Sequence, residues 1–229
     1  MLRQLLSGGL TLDFFIILLL EIPIVLLSLS FHESAHGWVA DKMGDDTARA
    51  HGRITLNPIR HLDPIGALSM LFLGIGWAKP VPVNPRKFKN PKKGMAITAA
   101  AGPLSNLILS FAARIIMAVL NVVFLSIGTQ SAGVYRLEWI LLEFFYLFSY
   151  MNAGLAIFNL LPIPPFDGSR IFYYFLPDRA YFAVMQYEQY IKIALIVLLM
   201  TGALSAPLSF LTNGVLSLFD FVIGLVPGL

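Results

Sequence analysis

No cysteine occurs among the 229 residues. Disulfides, thiolate metal sites and cysteine nucleophiles are excluded, and any metal chemistry falls to His, Asp and Glu. Charge is scarce too. Only 13% of residues are charged, against roughly 25% in soluble domains, while 57% are apolar and the mean hydropathy is +0.76. This balance points to an integral membrane protein. Long apolar runs at 14–31, 95–127, 139–163 and 191–227 agree, the last being long enough for two spans, because about 20 helical residues cross about 30 Å of hydrocarbon. The alternative, a soluble bundle of buried helices, does not call for runs of this length. No internal repeat or low-complexity segment stands out.

The fold class expected is an all-α polytopic membrane protein with about five transmembrane helices, four to six being compatible, forming a single domain over 1–229. The first span covers about 12–43, with Pro23 as an expected kink and Gly44 as its stop. It lacks a small-residue cleavage site and leads directly into a histidine cluster, so it reads as a retained helix rather than a secretory signal. Segment 45–94 is rich in Pro, Gly and Asn and encloses a short apolar stretch, 67–77. A re-entrant or β-like membrane-associated element is expected around 64–85, with "KPVPVNP" as extended strand or loop, since prolines 80, 82 and 85 prevent a regular helix. Second and third helices follow across about 94–161, ending at Pro162, Pro164 and Pro165. A fourth and fifth occupy about 187–226.

Ten of the sixteen Lys and Arg residues lie in 41–94. By the positive-inside rule that segment faces the cytoplasm and the N-terminus lies outside. The net charge of +3 is thus a topology signal, with no nucleic-acid partner implied.

Within "SLSFHESAHGWVADKMG" (28–44), His32-Glu33-Ser34-Ala35-His36 fits the pattern H-E-x-x-H. Four residues on a helix turn through about 400°, so both imidazoles share one face about 6 Å apart and can bind one zinc at about 2.0–2.1 Å. Glu33, offset by about 100°, sits beside the metal and can deprotonate water there. The plainer alternative is a histidine pair hydrogen-bonded to neighbouring helices, with Glu33 in an ion pair; an idle carboxylate near hydrocarbon is penalised, which weighs against it. Catalytic zinc usually takes three protein ligands. Asp167, in a helix break at the same expected membrane level, is the best candidate for the third. Glu21 lies nearly on the face of His32 but about 16 Å away along the axis, and reads better as the partner of a polar group such as Arg114. His51 and His61 lie in the polar segment, where hydrogen bonding is the simpler role. In "AAGPLSN" (100–106), Ala99, Ala100, Gly102 and Ser105 suit close helix packing. Asn106 needs partners, and either packs or lines the site.

H-E-x-x-H near the end of an apolar helix, followed by "NLLPIPPFDG" at the end of a later one, resembles the site-2 protease family of intramembrane zinc metalloproteases. The resemblance runs from the first helix to Gly168, and "AAGPLSN" and "GRITLNPIRHLDPIG" (52–66) are similar to stretches of compact bacterial members. It implies His32, His36 and Asp167 as ligands of one zinc per chain, Glu33 as general base and proton donor, and Asn159 as the polar group near the developing oxyanion. It also implies transmembrane protein substrates and a bacterial inner membrane location. Loop charge puts the expected active site toward the cytoplasm, and the length beyond the membrane core leads us to expect no PDZ or nucleotide-sensing domain, common attachments in that family. Rival readings are a non-catalytic metal-binding membrane protein or transporter, or a membrane metallohydrolase of a non-peptide substrate.

Overall fold

The computed structural model of the chain describes residues 12–73, 78–128 and 131–228. Nine α-helices follow one another among them: α1 (Leu12–Lys42), α2 (Thr47–Ala50), α3 (Pro58–His61), α4 (Pro64–Leu73), α5 (Pro91–Ile127), α6 (Ala132–Asn159), α7 (Asp167–Tyr174), α8 (Asp178–Met200) and α9 (Ser205–Gly224). Four of these, α1, α5, α6 and α9, are long and apolar enough to cross a membrane. The protein is an all-α polytopic membrane protein. α8, where a fourth span is expected from 187, starts earlier, at Asp178.

Three helices, α1, α5 and α6, form the core. Their contact is built from small and polar side chains: Ser28 on α1, Ala99, Gly102, Asn106, Ser110 and Ala113 on α5, and Ser149, Asn152, Ala153 and Ala156 on α6. Lipid tails offer no hydrophobic drive for helix association, so close approach and interhelical hydrogen bonds take its place. Ser110 Oγ donates to the Ser149 carbonyl at 2.8 Å and Ser149 Oγ to the Ser110 carbonyl at 3.0 Å. The packing role expected for Ala99 and Gly102 thus matches their burial.

α1 continues through Pro23, and α5, 37 residues long, continues through Pro103. At about 1.5 Å per residue α5 is roughly 56 Å long and extends beyond the hydrocarbon. Asn90 starts it: its side chain accepts from Lys93 N–H at 3.0 Å while Pro91, lacking an N–H, occupies the first turn.

No strand forms among the described residues. Residues 64–73 are helical, 74–77 lie outside the described residues, and 78–84 is an irregular stretch pinned by hydrogen bonds. Arg53 donates to the Lys79 carbonyl at 2.6 Å, Lys79 N–H to the His61 carbonyl at 2.9 Å, Val81 N–H to Glu33 at 2.8 Å, and Asn84 N–H to the fully buried Asp45 at 2.6 Å. Prolines leave this stretch poor in donors, so surrounding side chains and carbonyls fix its course.

The pairing expected between Glu21 and Arg114 does not form. Arg114 lies 3.4 Å from Asp220 on α9 and stacks over Tyr146 on α6, which ties three helices at one point. Glu21 faces a cavity instead.

Candidate metal centre

His32 and His36 lie one turn apart on α1, and Asp167 is the first residue of α7. The chain reaches Asp167 through "LPIPPFD", whose prolines end α6 and redirect the backbone. Gly168 permits the return. A β-carbon there would fall 2.2 Å from the Leu160 carbonyl oxygen, so only glycine allows α7 to start against the end of α6.

Asp167 Oδ2 stands 3.2 Å from His32 Nε2 and 3.3 Å from His36 Nε2, and the two Nε2 atoms are 3.0 Å apart. The far side of each ring decides what this closeness means. His36 Nδ1 is 2.7 Å from the Thr98 carbonyl oxygen, and His32 Nδ1 is 2.6 Å from Asn106 Oδ1. Both neighbours are acceptors, so both Nδ1 atoms carry the proton and, with the rings neutral, both Nε2 atoms present lone pairs. Two lone pairs and a carboxylate oxygen then converge with no donor of their own between them. The three atoms could hold a cation. A proton serves one pair of these atoms, whereas a metal ion serves all three, and neutral imidazole with carboxylate is a donor set suited to zinc.

α5 supplies the floor. A β-carbon on Gly102 would lie 2.4 Å from His36 Nε2 and 2.6 Å from His32 Nε2, so the glycine lets the helix pass directly beneath the ring edges.

A cavity of about 1090 Å³ opens beside these residues. His32, Glu33, His36 and Asp167 line it together with Val81 and Asn159. Glu33 Oε2 accepts from Val81 N–H, leaving its second oxygen free of any bond among the described residues. Asn159 donates one amide hydrogen to the Leu155 carbonyl at 2.9 Å and has a second to offer.

Residues 20–201 match Peptidase family M50. The chain belongs to that family. It is 41% identical over 177 residues to YwhC of Bacillus subtilis, named as a candidate zinc metalloprotease; the match covers 77% of this chain and 78% of that one. Rip2 of Mycolicibacterium smegmatis, similarly named, is 26% identical over 188 residues, or 79% of this chain and 66% of the relative. The Mycobacterium tuberculosis (H37Rv) protein of that name is 26% identical over 186 residues, with the same coverage. No solved structure matches the chain significantly. Membership of M50 places the protein among the intramembrane zinc proteases that its sequence resembles, and the non-catalytic and non-peptide readings are not favoured.

Of the other residues weighed from sequence, His51 is exposed and bonds the Thr47 carbonyl, while His61 is buried against the Thr55 carbonyl and Ser34. Neither joins the His32–His36–Asp167 group, and Glu21 lines the cavity apart from it. Asn106 does join, behind His32. Sequence reasoning missed Thr98, whose contribution is a backbone carbonyl and leaves no mark in the side-chain pattern. It also missed Asn152, an amide inside an apolar helix that the demand for buried partners would have flagged, as it flagged Asn106.

Proposed function

We propose that the chain hydrolyses peptide bonds in or near transmembrane segments of other proteins, using one zinc ion held by His32, His36 and Asp167. The observation that carries this reading is the convergence of three electron-pair donors beside Glu33, in a cavity between helices. Bound there, zinc supplies Lewis acidity that brings water toward a pKa of about 7 and polarises a carbonyl.

The chain's own residues do the rest. Glu33 is fixed through one carboxylate oxygen by Val81 N–H. Its other oxygen takes a proton from water and returns it to the leaving amine. The second amide hydrogen of Asn159 serves the oxyanion, a contribution of about 2.7–4 kcal/mol where such donors have been tested.

Residues 78–83 form the wall on which an unwound substrate lies. Pro80 and Pro82 have no N–H and those of Lys79 and Val81 are committed to the His61 carbonyl and Glu33, so this wall meets the substrate main chain through carbonyl oxygens and the Val83 N–H. Loop charge sets the active site toward the cytoplasmic side, and bacterial relatives fit a location in the bacterial inner membrane. The 229 residues act as one catalytic domain in the bilayer.

A transporter would need further ligand groups along a path. Among the described residues one His/Asp/Glu group could hold a metal. The test is reconstitution with a model transmembrane substrate. A zinc chelator should abolish cleavage, added zinc should restore it, and the new termini should map to the transmembrane segment. Cleavage that survives complete zinc removal contradicts the reading, and turnover confined to lipid-linked substrates replaces it with the non-peptide alternative.

A further inference from the structure

The two histidines are oriented by different means. Behind His36 stands a peptide carbonyl, that of Thr98, which can only accept. Behind His32 stands the side-chain amide of Asn106, which can present either an oxygen or an NH2 group. Were the NH2 to face His32, Nδ1 would have to accept, Nε2 would carry the proton, and His32 could not bind a metal through it. Something must hold Asn106 with its oxygen toward the ring.

The nearby hydrogen bonds identify what does. The Phe148 carbonyl, an obligate acceptor on α6, lies 2.8 Å from one terminal atom of Asn152, which must therefore be Nδ2. The same Nδ2 donates to Ser28 Oγ at 2.8 Å. The other terminal atom of Asn152 is then an oxygen, and it faces Asn106 at 2.7 Å, so Asn106 must present its NH2 there and its oxygen to His32. A backup contact, from Asn106 Nδ2 to the Ser28 carbonyl, is long at 3.4 Å. Ser28, Asn106 and Asn152 are all 0% exposed, so no water can satisfy the reversed arrangement.

We propose that Asn152 is a positioning residue for the metal centre: it fixes the Asn106 amide and, through it, the His32 tautomer whose Nε2 lone pair faces the metal. Polarity is relayed from a backbone carbonyl on α6, through two amides, to an imidazole on α1. The inference rests on reading His32, His36 and Asp167 as the zinc ligands.

The test measures zinc affinity by chelator competition and records the d–d spectrum of the cobalt-substituted protein, in native chain and three variants. Asn152→Ala frees the Asn106 amide and should lower zinc affinity about tenfold or more, as other losses behind metal ligands do. Asn106→Asp, neutral when buried beside Asn152, keeps a carbonyl oxygen toward His32 and a hydroxyl toward Asn152 Oδ1, so it should keep near-native affinity. In that background Asn152→Ala removes the facing acceptor, the carboxyl can ionise and present an oxygen at either end, and affinity should fall no further, a non-additivity that a purely structural role does not produce. Asn152→Asp, neutral when buried, keeps a carbonyl toward Asn106 and a hydroxyl toward Phe148, and should keep affinity and the cobalt spectrum even if the alanine variant does not fold. The proposal is overturned if Asn152→Ala binds zinc as the native protein does, if it costs the same factor in both backgrounds, or if Asn152→Asp loses the metal. Native protein binding no more zinc than a His32→Ala/His36→Ala control would instead refute the ligand reading beneath it.

Discussion

The backbone N–H of Val81 donates to Glu33 Oε2 at 2.8 Å, joining the irregular wall of the cavity to the carboxylate next to His32 on α1. Val81 lies between two prolines, neither of which could replace that donor. Bonds to a charged acceptor are worth about 1.5–3 kcal/mol. Val81→Pro should therefore lower kcat about tenfold or more with zinc content unchanged, and Val81→Ala, which keeps the N–H, should have a much smaller effect. Equal losses in both variants, measured with zinc quantified in each, would assign the effect to the side chain instead.

Glycine at 102 is a requirement of the metal centre, because its missing β-carbon would occupy space 2.4 Å from His36 Nε2. Gly102→Ala should displace the imidazoles and reduce zinc affinity by about tenfold or more, the scale seen when ligand support is lost. The outer part of α5 should remain folded. Chelator competition together with a helical circular dichroism spectrum checks both halves, and native affinity in the alanine variant would show that α5 can move away.

Acid should release the metal, because protons compete with it for the imidazole lone pairs and for the Asp167 carboxylate. Zinc affinity, measured by chelator competition, should fall as the pH is lowered. An affinity that does not change with pH would contradict the ligand reading.

The Arg114–Asp220 contact binds α9 to α5, with Arg114 buried and Asp220 half exposed. Asp220→Asn should lower the melting temperature of the detergent-solubilised protein, because the buried guanidinium loses its counter-charge. Replacing both, Arg114→Leu with Asp220→Asn, should recover much of the loss. No recovery in a double-mutant cycle would show that Arg114 is held by Tyr146 alone.

Much of this was legible in the sequence, for identifiable reasons. Hydropathy reported α1, α5, α6 and α9 because a span must be apolar along its whole length. Helical spacing brought His32 and His36 together, since an i, i+4 pair needs only local geometry. Asp167 was visible through the prolines that break α6. The short helix α7 was not, because its apolar pattern is brief and its start depends on Gly168 fitting beneath the Leu160 carbonyl. Nor could the sequence assign Arg114 to Asp220 over Glu21, or Asn106 to Asn152 and His32. Those pairings depend on the rotation of one long helix against another, which small residues permit and composition does not specify.

Glu33→Gln tests the central claim most directly, by asking whether the carboxylate beside the metal position does the chemistry. The variant should retain one zinc per chain and lose cleavage of a reconstituted transmembrane substrate by at least the 10²–10⁴-fold typical of general acid–base catalysis. Native-like cleavage with zinc bound would contradict the account.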